Sequence, residues 1–182
     1  METTQQALQE TKNIRTEYFV SSVIQQCKQD KGLAARLRRA DNPATEYQSW
    51  ELLAAHDIDL ERDDQRLPFI TVAATIARAK SEGNGSLRLG QAITHCYTEG
   101  RDSTQAAARL RRLLACDDLP EVCRILRPLL SLIASKVGQT LDYTRLLRQL
   151  LRFRFDPQGV KAQWAQEFYA RSVSEQLSGE KA

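Results

Sequence analysis

Residues 141–155 read LDYTRLLRQLLRFRF, and the spacing within that stretch decides the fold class. Tyr143, Leu146, Leu147, Leu150 and Leu151 recur at helical intervals, while Arg145, Arg148 and Arg152 fall within an arc of about 60° at 100° per residue. One helix from about Thr140 to Arg154 therefore buries an apolar side and presents three guanidinium groups in a row. Alternation of β-branched residues, the mark of a strand, is missing here and throughout the chain.

Working outward, every segment long enough to assign has the same period. A first helix is expected over about 13–29 with Tyr18, Phe19, Val23 and Ile24, and a short second one over 32–40. Asp41, Asn42 and Pro43 form a cap and a first-turn proline for a third, which should carry Tyr47, Trp50, Leu53 and Ala54 inward. Residues 56–65 read as an acidic loop, and Pro68 as the start of a fourth helix ending at Lys80. Residues 81–86, with Gly83, Asn84 and Gly85, read as the clearest flexible loop.

A fifth helix is expected over 87–97 and a sixth over 104–115 behind the N-cap Ser103. Asp118 and Pro120 open a seventh that Gly138 closes, with Pro128 inside it expected to kink or divide it. Asp156 and Pro157 open a ninth that runs to about Leu177. The expected fold is all-α, with about nine helices in two packed helical bundles, an amino-terminal one over residues 1–98 and a basic carboxyl-terminal one over 99–182.

With 182 residues the chain holds one ordinary domain or two small ones, and its 42% apolar and 27% charged residues are globular values. Without a long apolar run or a signal-like amino terminus, it is expected to remain where it is made, in the cytoplasm. Cys27, Cys96, Cys116 and Cys123 are scattered and read as reduced core residues. His95 and Cys96 are neighbours whose side chains diverge by about 100° on a helix, which excludes a nucleophile and base pair. Asp57, Asp59, Glu61, Asp63 and Asp64 lack the glycine and terminal glutamate of a calcium loop, and read as a solvated acidic loop or a contact for a basic partner. No catalytic, metal or cofactor constellation is expected.

Charge is divided unevenly. Residues 1–100 carry 12 Lys/Arg against 14 Asp/Glu, whereas residues 101–182 carry 14 against 9. Most of the excess is arginine, which suits bidentate contacts to phosphate. The Arg145, Arg148 and Arg152 stripe, with roughly 5–6 Å between neighbours, matches a run of phosphates. Asp142 is the one acid assigned to it, and Arg148 and Arg152 are read as unpaired, against the alternative of an ordinary solvated helix face. Arg109 and Arg112 repeat the pattern on the sixth helix, with Arg111 pointing elsewhere. Arg124 and Arg127 form a third cluster, Arg38 and Arg39 a fourth, and Arg154 and Lys161 complete the candidate set. Phe153 and Phe155 alternate with Arg152 and Arg154, which fits either stacking on unpaired bases or closure of the core.

The segments AARLRRADNP, YQSWELLA, SLRLGQAI, ARLRRLLACDDLPEVCRILRPLLSLI and LDYTRLLRQLLRF, in that order over about residues 30–170, resemble CasB, the small subunit of the type I-E CRISPR surveillance complex Cascade. The resemblance implies a non-catalytic helical subunit, present in two copies beside the large and backbone subunits. It implies contact with the CRISPR RNA and target duplex, and with the displaced DNA strand of the R-loop. It places Arg38 and Arg39 at the family's amino-half arginine pair, and Arg109, Arg111, Arg112, Arg124 and Arg127 on its central basic helices. Pro128 stands where a second arginine is expected. The rival reading is an assembly adaptor whose arginines pair acidic faces of neighbouring proteins.

Overall fold

The computed structural model describes the backbone of residues 2–170 and the side chains of residues 13–170. Nine α-helices follow one another among these residues: α1 (Glu2–Gln29), α2 (Lys31–Ala40), α3 (Trp50–Ala55), α4 (Asp63–Ala79), α5 (Leu89–His95), α6 (Thr104–Leu114), α7 (Leu119–Lys136), α8 (Tyr143–Phe153) and α9 (Pro157–Tyr169). Tighter 3₁₀ turns occupy Pro43–Ser49 and Gly100–Asp102. The all-α expectation holds. The expected extension of α9 to Leu177 lies outside the described residues.

Side-chain caps set most of the starts. Asp30 accepts from the Gly32 and Leu33 amides at 2.7 and 3.0 Å, Asp118 from Glu121 at 2.8 Å, Asp142 from Arg145 at 2.9 Å and Asp156 from Gly159 at 2.8 Å. Each satisfies a donor that the first helical turn leaves orphaned. Ser103 caps α6 through the Ala106 amide at 3.3 Å, as its position predicts.

Helix α4 is the hub. From Leu67 to Ala77 every residue is buried, so this helix is covered on all sides. It packs on α1 and α2, and equally on α7 and α8. The buried side chains form one continuous cluster from Phe19 to Phe168.

Several expectations need correction. Tyr47 and Trp50 do not turn inward; they are 59% and 43% exposed, and Ala54 is exposed as well. The reason is the 3₁₀ turn, whose three residues per turn bring Glu46 and Ser49 to the core side in their place. Tyr18 is exposed too, while its neighbours Phe19, Val23 and Ile24 are buried. Pro68 does not begin α4. The helix starts a turn earlier at Asp63 and Asp64, acids suited to its positive end. Pro128 does not divide α7, which runs unbroken to Lys136. Cys27 is only half-buried, unlike the other three cysteines.

The stretch expected to be a flexible loop is instead tied down. Gly85 N–H donates to the Leu141 carbonyl at 2.9 Å, Leu87 N–H to Thr140 at 3.2 Å, and Asp142 N–H returns to Leu87 at 2.9 Å. Asn84 adds its side chain, accepting from the Tyr143 amide at 2.8 Å and donating to Asp142 at 3.2 Å. A Cβ on residue 85 would sit 1.8 Å from the Thr140 carbonyl oxygen, so glycine is required there. Leu87 belongs to this clasp, and α5 therefore begins two residues later than expected.

Candidate nucleic-acid interface

Helix α8 forms as the sequence predicts. Tyr143, Leu146, Leu147 and Leu150 are buried as expected, joined by Phe153, while Leu151 is only partly buried, and Arg145, Arg148 and Arg152 lie on the opposite side. The expected freedom of Arg148 and Arg152 from carboxylates does not hold, and the guanidinium of Arg145 takes Glu167 in place of Asp142, which caps its backbone N–H. Arg145 Nε–H donates to Glu167 at 2.8 Å, Arg148 pairs with Glu17 at 2.5 Å, and Arg152 forms two hydrogen bonds to Asp156. Two of these acids come from α9 and α1, distant in sequence and adjacent only after folding. Asp156 is local, four residues beyond Arg152, and lies just past the helix end.

The first two of these pairs join separate helices. Glu167 is 4% exposed as a residue and also accepts from the Gln149 amide and the Gly90 N–H, each at 3.2 Å. Arg145 supplies the positive charge that makes burial of this carboxylate tolerable. Arg148 reaches past Glu17 to the Thr16 hydroxyl at 3.1 Å and the Asn13 carbonyl at 3.3 Å, fastening α1 to α8. Arg152 and the Gly159 N–H together hold the Asp156 carboxyl below the ordinary range.

Arg154 is likewise occupied, donating to Asp64. Arg62 also bonds Asp64, and these partners hold that carboxyl below its ordinary value, Arg62 first. Two acids of the stretch, Asp63 and Asp64, thus pair with the protein's own arginines. Phe153 and Phe155 divide between their two readings. Phe153 is buried and stacks on Trp164, with ring centroids 5.9 Å apart, whereas Phe155 is 74% exposed beside Arg154.

On α7, Arg124 pairs with Glu121 at 3.2 Å. Arg127 lies 3.6 Å from Asp41, which Arg78 also holds at 2.6 Å. Two guanidiniums therefore share one carboxylate, and Arg78 Nη1 and Arg127 Nε are buried without an acceptor among the described residues.

What remains unneutralised lies elsewhere. Arg111 and Arg112 are adjacent and exposed on α6. Neither has a carboxylate partner among the described residues, and Ala106, Leu110 and Leu113 anchor the helix beneath them. Among the described residues, Arg109 donates to the neutral Tyr97 hydroxyl at 2.5 Å and has no carboxylate partner. Arg39 bonds the Gln48 side-chain oxygen at 3.0 Å, and Arg38 the Ala77 carbonyl at 3.3 Å, so both keep their charge. Lys161 lies 5.9 Å over the Phe153 ring. Sequence spacing ranked α8 first because it reveals the face on which a side chain lies. It is silent on which distant acid arrives there. It also passed over Lys28, Lys31 and Lys80, which come from three separate elements.

The cysteines carry little thiolate. Burial pushes the Cys123 thiol up to about 11 and raises those of Cys27, Cys96 and Cys116. No helix among the described residues is long and apolar enough to cross a membrane.

Solved structures share this fold. A chain of a CRISPR RNA-guided surveillance complex is 22% identical with a TM-score of 0.67, covering 94% of this chain and 99% of that one. CasB from Thermus thermophilus is 24% identical at a TM-score of 0.63, covering 86% and 98%. CasB from M. ruber is 21% identical at 0.63, covering 90% and 98%. No curated protein sequence matches the chain. Residues 33–169 match the profile of the family described as CRISPR-associated protein Cse2, a span reaching from α2 to the end of α9. By that match the chain belongs to the Cse2 family.

Proposed function

We propose that this chain is a non-catalytic structural subunit of a CRISPR RNA-guided surveillance complex. In this reading it contacts the guide RNA and target duplex, and steadies the displaced DNA strand of the R-loop alongside other Cascade subunits and a second copy of itself. The observation that carries it is the exposed pair Arg111 and Arg112 on α6, without carboxylate partners among the described residues. Arg38, Arg39 and Arg109 keep their charge against neutral partners and are further candidates for phosphate contact. Guide pairing reads sequence in such assemblies, so a protein contact needs only backbone and shape.

R-loop formation is nearly balanced, and modest phosphate contacts tip it. Arg124, Arg127, Arg145, Arg148, Arg152 and Arg154 join such contacts only by exchanging a carboxylate for a phosphate, which lowers their net contribution. The test is single-strand binding against salt for Arg111→Ala/Arg112→Ala. Each lost phosphate contact reduces the log–log slope by about 0.7, so the double variant should lose about 1.4. An unchanged slope rules out this pair.

A second reading is supported by the exposure of Tyr47 and Trp50 on neighbouring turns. Aromatic groups of this kind serve as anchors in protein interfaces, and an adaptor role would use them. An adaptor alone would bind oligonucleotides with little salt dependence.

A further inference from the structure

The carboxyl-terminal end of α1, the amino-terminal turn of α2 and the end of α4 enclose an open concavity of about 620 Å³. Its lining carries Lys28, Lys31, Arg38 and Lys80, against a single acid, Glu82. Lys28 is bonded to the Glu82 backbone carbonyl at 2.7 Å, a neutral partner that leaves the ammonium charge in place. Lys31 and Lys80 are exposed and have no ion-pair partner among the described residues. The groove thus presents four cations from three elements, and no aromatic ring lines it.

Two of these lysines occupy positions where local stability favours another residue. Lys80 caps α4 in the left-handed conformation, with φ 51° and ψ 42°. A glycine adopts this conformation freely, whereas a Cβ there crowds the following carbonyl oxygen. Lys31 is the first residue of α2 and sets a positive charge against the positive end of the helix dipole. Local preferences are thus broken twice at one groove, each time by a cation, a pattern expected where residues serve a site as well as the fold.

We propose that this groove is a second phosphate-binding site, one that takes the backbone of a single-stranded nucleic acid without reading its bases. Lysine ammoniums suit it as point charges that accept many phosphate orientations, and the lack of rings removes base stacking. Arg38 links the groove to the cationic surface of α2. The proposal rests on the nucleic-acid reading above but adds Lys28, Lys31 and Lys80, which that reading does not use.

The test uses the full chain and an unstructured 20-nucleotide oligodeoxythymidylate at low salt. Lysine acetylation is followed by mass spectrometry with and without the oligonucleotide. Lys28, Lys31 and Lys80 should react at least threefold more slowly when it is bound, and Lys136, which sits over the Tyr97 ring, should be unchanged. Bound oligonucleotide without protection of the three lysines overturns the proposal, and no binding at low salt overturns it together with the parent reading. Stronger protection by polyglutamate than by the oligonucleotide at matched charge overturns the phosphate assignment in favour of an acidic protein segment. In Lys28→Gln/Lys31→Gln/Lys80→Gln the salt slope should fall by about 2. If Arg111→Ala/Arg112→Ala leaves binding intact while the lysines remain protected, the parent assignment to α6 fails and the groove stands.

Discussion

Arg145 on α8 and Glu167 on α9 meet at 2.8 Å, the carboxylate side chain only 3% exposed and the guanidinium 37% exposed. One partner faces solvent while the other is sealed in the core, so their removal has unequal consequences. Arg145→Ala leaves a buried carboxylate with only the Gln149 and Gly90 donors. It should cost about 2–3 kcal/mol, short of the roughly 3–5 of a fully buried pair because Arg145 reaches water. Arg145→Ala/Glu167→Gln should recover much of that loss in urea denaturation. A double variant no more stable than the single one would show that the charge is not what matters.

The acid-sensitive contribution of Asp156 and Asp64 follows from their partners. Arg152 with the Gly159 amide, and Arg62 with Arg154, hold these carboxyls below the ordinary range. Their stabilisation is complete above the unfolded value of about 3.9 and is lost as pH falls through the lowered folded value. Unfolding free energy should therefore be insensitive to these two groups between pH 6 and 8 and fall below about pH 4. Asp156→Asn should make that fall shallower, and an identical acid limb would contradict the pairing.

His56 titrates in a higher window. Burial first, and then the Arg15 charge, lower its pKa, and its ring packs edge-on against Phe19 with centroids 5.1 Å apart. The neutral form is favoured in the fold, so its contribution is present above the unfolded value of about 6.5 and is lost as pH drops through the folded one. A proton-detected titration should give His56 a midpoint below 6.5, and a midpoint above it would reverse the sign.

Gly90 makes the most intolerant contact between two helices. A Cβ there would lie 2.4 Å from the Trp164 carbonyl oxygen and 2.5 Å from the Phe168 amide nitrogen, both backbone atoms. Gly90→Ala should force α5 and α9 apart and cost about 1–3 kcal/mol, read as a lowered Tm. Unchanged melting would mean that the two backbones do not approach this closely.

The α6 pair should behave in the opposite way. Arg111 and Arg112 are exposed without ion pairs among the described residues, so replacing both with alanine should change stability by no more than about 0.5 kcal/mol per site. Any loss of nucleic-acid binding can then be read as loss of contact. A drop in Tm of many degrees would assign them a structural part instead.

Local chemistry was legible in the sequence and long-range pairing was not. Ser103, Asp118, Asp156 and the apolar face of α8 could be assigned because a cap or a helical face is settled within a few residues. Glu17 and Glu167 lie 131 and 22 residues from the arginines they neutralise, a separation no periodicity reports. Tyr47 and Trp50 were misplaced for a subtler reason: a change from 3.6 to three residues per turn rotates every following side chain. Lys28, Lys31 and Lys80 escaped notice because they lie on three separate elements that only the fold brings to one groove.

The joining of residues 84–87 to 140–142 has a bearing on how this chain can be altered. The two connectors are welded into a single corner, so lengthening either one between its bonded residues would drag the other out of register and twist α8 at its root. Gly138, exposed and with open space around it, lies just outside the weld. A reporter peptide spliced in there would dangle from the corner without prising it open.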